Sequence, residues 1–178
     1  MTKRIPVILL ILLLALAAAH ISYFAPRLPD TVVSHFDASG TPNGWMPRQA
    51  FLLLYGVLVL VLCIPFLLLG PLIKVIPDRL VNLPNKQYWL EPSRRAETYA
   101  YLQQWGYWFC DVLLAFLIST MHLAIRANLQ PDHRLSPMLW FFMIGFVCTA
   151  IGMTVALFMR FKRLPEPRPL SSGHNFIG

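Results

Sequence analysis

Four of the five histidines, His20, His35, His122 and His133, fall with Asp30, Asp37 and Asp132 near the same ends of long apolar stretches. Neutral imidazoles and carboxylates are the donor set of a Zn²⁺-type cation, which lowers the pKa of a bound water and so permits metal-dependent hydrolysis. His35 and Asp37 are the pair that would hold such a divalent metal. No His-Glu-x-x-His run or comparable ligand spacing accompanies them. The sequence therefore predicts no cofactor and names no catalytic residue. The preferred role for His35 and Asp37 is to hold their loop by hydrogen bonds, with Gly40 and Gly44 supplying positive φ.

A second constellation is Gln104, Asp111 and His122, close to one face of a helix with Ser119 beside it. At 1.5 Å rise per residue, Asp111 and His122 stand about 16 Å apart and cannot touch. A carboxylate inside an apolar span is costly, so it faces other helices or water and is a functional candidate. It would suit a polar pathway in a small transporter or channel component. The alternative, preferred from sequence, is that Lys74 or Arg160 on another helix satisfies it. The third feature is Arg94-Arg95 with Tyr88 and Trp89, which could bind anionic lipid headgroups or an intracellular partner, although juxtamembrane arginines commonly only enforce topology.

The elements that carry these residues follow from composition. The chain has 178 residues, 57% hydrophobic and 13% charged, with a mean hydropathy of +0.57. That is too apolar for a soluble domain, and the lipid bilayer is the expected partner. A span needs about 20 apolar residues. Four stretches qualify, predicting an all-α integral membrane protein with spans at about 5–25, 50–73, 105–126 and 138–160. An outer loop at 26–49, an inner loop at 74–104 and a mobile cytoplasmic tail at 164–178 complete the chain.

Lys and Arg are retained on the cytoplasmic side. With the N-terminus inside, the inner segments hold Lys3, Arg4, Lys74, Arg79, Lys86, Arg94, Arg95, Arg160, Lys162, Arg163 and Arg168, against Arg27, Arg48, Arg126 and Arg134 outside. Both termini are therefore expected in the cytoplasm. Topology accounts for the net charge of +7, and no nucleic-acid partner is needed. Thr2-Lys3-Arg4 and the run to Ala19 also fit a signal peptide, but the apolar run continues to Ala25, favouring an uncleaved span. Cys63, Cys110 and Cys148 all lie within spans and imply no disulfide framework.

Within the outer loop, Thr31 to Phe36 reads as a short strand that reverses at Asp37 to Gly40 and again at Pro42 to Gly44. Pro65 should kink the second helix, and Gly70-Pro71 should stop it. Pro92 opens an amphipathic helix that runs into the third span, with Tyr99, Tyr101, Trp105, Tyr107 and Trp108 as an interfacial belt. Gly145, Cys148, Thr149, Gly152 and Ala156 form a stripe of small side chains that predicts a packing face on the fourth helix.

The stretch Leu28-Pro29 to His35-Phe36-Asp37, then Gly40 and Pro42-Asn43-Gly44-Trp45, resembles the loop signature of a prokaryotic membrane family, the domain of unknown function 1648. That domain forms the N-terminal part of SdpI-type immunity proteins. The segment Asn82-Leu83-Pro84-Asn85-Lys86-Gln87-Tyr88-Trp89-Leu90-Glu91-Pro92-Ser93-Arg94-Arg95 resembles the inner-loop signature of shorter, four-helix members. The resemblance implies a bacterial inner-membrane protein that binds, senses or gives immunity to a peptide toxin at the envelope, with His35 and Asp37 shaping a recognition loop. The chain ends after four spans, without the further membrane region of SdpI itself. A membrane-protein partner or a homo-oligomer is a further expectation, and the metal-dependent enzyme and the Asp111 transporter remain the alternatives.

Overall fold

The computed structural model describes residues 4–165. Its elements are α1 (Ile5–Phe24), β1 (Thr31–Phe36), β2 (Pro42–Pro47), α2 (Arg48–Val75), α3 (Lys86–Trp89), α4 (Pro92–Asn128) and α5 (Met138–Lys162). Four helices, α1, α2, α4 and α5, are long and apolar enough to cross a membrane.

α4 is the axis of the bundle, and α1, α2 and α5 each pack along it. Its 37 residues reach about 55 Å, well beyond a hydrocarbon core of about 30 Å. Its first turns therefore form the polar lead-in expected at Pro92. Cys110, Leu114, Leu117 and Ile118 pack against Leu10 and Ala17 of α1 and against Tyr55, Val59 and Cys63 of α2. In lipid, such packing depends on close approach rather than on escape from water. Gly70 and Gly106 supply it: a Cβ on Gly70 would collide with the Gln103 amide, and one on Gly106 would lie 2.8 Å from Leu69 Cδ2.

β1 and β2 form an antiparallel hairpin that begins Thr31↔Pro47 and ends Phe36↔Pro42, with register shifts on either side of His35. An isolated two-stranded hairpin is marginal. This one sits on the bundle end, where Val32 joins Leu28, Phe51 and Ile125 in a second apolar cluster. At the opposite end, Leu90, Tyr99 and Ile73 make a third.

The strand at Thr31 to Phe36 and the uninterrupted helix from Pro92 agree with the sequence reading, but four details differ. Pro42–Pro47 is the returning strand, because Gly40 alone completes the reversal and residues from Pro42 are free to pair with β1. α2 continues past the expected stop at Gly70-Pro71 to Val75. Gly70 serves the contact with α4 rather than a stop. The small-residue stripe of α5 points away from the bundle: Gly145, Cys148, Thr149, Gly152 and Ala156 are exposed, and a Cβ on either glycine would meet nothing within 4 Å. The larger side chains on the other side, including Phe146 stacked on Phe116, make the contact with α4. Tyr99, expected in the interfacial belt, is buried in the third cluster.

Candidate functional site

Asp37 is the organising residue of the hairpin turn. Its Oδ1 accepts hydrogen bonds from the Ser39 N–H, the Ser39 hydroxyl and the Thr41 N–H at 2.7 to 2.9 Å. These bonds, the Ser39 hydroxyl first, hold the carboxyl below its ordinary pKa. Gly40 stands at φ +80°, where a Cβ would also strike the Leu135 carbonyl at 2.6 Å. Leu135 N–H in turn donates to Gly40 O, which ties the turn to the α4–α5 connection. Gly44, expected at positive φ, does not share it: among the described residues Gly40 is the one glycine there. Gly44 lies opposite His35, where a Cβ would fit tightly, 3.1 Å from the His35 Cβ and 3.3 Å from its ring. Phe36 and Pro42 are half-buried, while His35, Asn43 and Trp45 are exposed. Among the described residues no three His, Cys, Asp or Glu side chains gather as metal ligands.

The bonds that seat this hairpin come from a residue the sequence reading missed. Asn128, at the last turn of α4, accepts from Val33 N–H at 2.6 Å and donates to Val33 O at 3.0 Å. A buried asparagine at a helix end beside Leu129 is weak sequence signal, because helix termini commonly carry asparagine.

Below the hairpin, α1 and α5 flank α4 with a cavity of about 690 Å³ between them, and its walls include His20, Ser119, His122, Arg126, Arg134 and Phe142. Folding brings two of the four histidines together here: His20 Nε2 lies 3.1 Å from His122 Nδ1. Tyr55 of α2 packs edge-on against His20 with ring centroids 5.8 Å apart. Its hydroxyl and His20 Nδ1 are buried without a hydrogen-bond partner among the described residues. Buried polar atoms of this kind are rare unless water or a ligand meets them. Residues 102 positions apart cannot be paired from sequence alone, so the sequence shows His20 only as one of a scattered set.

Asp111 sits deeper in the bundle, 3% exposed, with both carboxylate oxygens lacking a partner among the described residues. Arg160, one of its two expected partners, instead lies near the rings of Trp89 and Tyr101. The side chain of Lys74, the other, is outside those described. His122 remains separate from Asp111, paired with His20.

The second motif is a clamp between helices. Asn85, in left-handed backbone at φ 53°, donates from its amide to Phe161 O and Lys162 O. Trp89 Nε1 donates to Phe161 O at 2.8 Å. These donors satisfy carbonyls at the C-terminus of α5 that the helix itself leaves open. Arg94 stacks on Tyr88 and pairs with Glu91, while Arg95 pairs with Asp78. Asn82 is exposed and Pro84 half-buried in the turn leading to α3, and Pro92 starts α4. Both arginines are thus engaged within the protein.

Four helices long and apolar enough to cross a membrane, capped at one end by a docked β-hairpin, suit a membrane protein with a cavity beside the cap. Residues 10–59, covering most of α1, the hairpin and the start of α2, match the family model of the domain of unknown function DUF1648. No curated protein and no solved structure matches the chain.

Proposed function

We propose that this is a non-enzymatic binding or sensing protein of the bacterial inner membrane, with both termini cytoplasmic, the hairpin facing outward, and the cavity beside the hairpin as its receiving site. The cavity carries the reading. It is of ligand size, it lies between two helices that both pack on α4, and its wall includes His20, a residue whose Nδ1 is buried without a partner among the described residues. The hairpin supports the same reading, since its hydrogen bonds to Asn128 and Leu135 fix it as the roof of this end of the bundle.

Thiol labelling tests it. A Ser119→Cys change in a Cys148→Ser background places one reactive thiol in the cavity, since Cys63 and Cys110 are buried. Labelling should slow severalfold when an extract of the source membranes is added. An unchanged rate would count against any ligand at this site.

Recognition of a peptide toxin is a second reading, favoured by Trp45, which is 60% exposed on the rigid hairpin. Rigid aromatics of this kind are frequent anchors in protein recognition. Loss of protection in Trp45→Ala, with the protein still in the membrane, would support it.

A further inference from the structure

The walls of the cavity change character along its length. Leu16 of α1, Ile118 and Leu123 of α4 and Phe142 of α5 line it with hydrocarbon. Arg126, Gln130, Arg134 and Ser136 gather near the end of α4 and the start of α5. Ile118 to Arg126 is eight residues, about 12 Å along the helix, so the deepest part of the apolar wall and the cationic rim are separated along α4, with Ser119 and His122 between them. No acidic residue is among the lining side chains described. The Arg126 guanidinium makes no hydrogen bond or ion pair among the described residues. Arg134 donates to Thr41 Oγ1 at 3.2 Å and interacts with the Asp37 charge, so it is partly engaged. The amino end of α5 borders the same rim through Ser136 and Met138; its first N–H groups are bonded to Ser136 and Pro137, and its dipole adds positive potential.

An occupant of this site has a hydrocarbon body and an anionic head. Its head must accept from more donors than a carboxylate has room for: the Arg126 fork, the remaining Arg134 N–H groups, the Gln130 amide and the Ser136 hydroxyl. A phosphate, with its several oxygens, fits that set. We propose that the cavity binds a phosphate-bearing amphiphile drawn from the membrane leaflet, its phosphate at Arg126 and Arg134 and its chain between α1 and α5. This assignment rests on the reading of the cavity as a binding site and adds the chemistry of what enters it.

Native mass spectrometry in a neutral maltoside detergent tests the assignment, with dodecyl phosphate as probe and dodecanol, dodecanoate and inorganic phosphate as comparisons. Dodecyl phosphate should be retained one to one, ahead of the neutral and carboxylate analogues, and excess inorganic phosphate should not displace it. Arg126→Gln should weaken retention by about tenfold or more, Arg126→Lys should restore part of it, and Arg27→Gln, at the same end but outside the cavity, should leave it unchanged. Both positions are exposed, so these variants keep the fold. Equal retention of dodecanol or dodecanoate, or displacement by inorganic phosphate, would overturn the phosphate amphiphile. Failure of dodecyl phosphate while membrane extract still protects Ser119→Cys would sink this assignment and leave the binding site standing. Failure of both would remove the site itself.

Discussion

At Asn128 a single side-chain amide meets both backbone groups of Val33, at the point where the hairpin register shifts. Asn128→Ala would strand a buried N–H and a buried carbonyl, each costing about 1–3 kcal/mol. The expected result is a lower melting temperature in detergent, with Asn128→Asp intermediate because it keeps the acceptor and loses the donor. Wild-type stability in Asn128→Ala would mean that the hairpin seats itself without this bond. Asp111 poses the opposite case. A buried carboxylate with no partner is destabilising, so Asp111→Asn or Asp111→Leu should match or exceed the wild-type melting temperature. If the carboxylate serves transport, flux in vesicles is then lost while the protein grows no less stable. A clear drop in stability instead would reveal a partner that holds it.

The hairpin owes its turn to an ionised side chain, and this gives it a pH dependence of definite sign. The folded Asp37 carboxyl sits below its ordinary value because it accepts from Ser39 and Thr41. Its contribution is therefore complete above the unfolded carboxylate pKa, near 3.9, and is lost as pH falls through the lower folded value. Amide exchange at Ser39 and Thr41 should stay slow through neutral pH once the intrinsic rate is removed. It should quicken on acidification below about pH 4, and Asp37→Asn should flatten that response. An acid response unchanged in Asp37→Asn would assign it elsewhere. β1 was legible in sequence because β-branched residues cluster at Thr31 to Val33. β2 was not, because its prolines, asparagine and glycine read as turn formers, and only pairing with β1 makes them a strand. The outward stripe on α5 departs from the expected packing face for a related reason. Small residues allow close approach but do not require it, and α4 meets the opposite face through large side chains.

For the whole molecule, the apolar runs made the four helices plain, while the cavity depended on contacts between α1, α4 and α5 that no local pattern encodes. The orientation inferred from the basic residues is directly measurable. In a Cys148→Ser background, Ser39→Cys on the hairpin should react with a membrane-impermeant maleimide in intact cells. Ser93→Cys, at the start of α4, should react only after permeabilisation. Reversed accessibility would turn the protein over and place the cavity on the cytoplasmic side. The bond between Asn128 and Val33 spans 95 positions, and this has a consequence for biogenesis. Translation delivers the hairpin well before the end of α4, so during insertion the loop waits with the backbone of Val33 unmet by Asn128 and its apolar underside uncovered. A nascent chain arrested after the second span should therefore expose Val32 and Val33 to protease, and the loop should become resistant only when the third span has entered the bilayer.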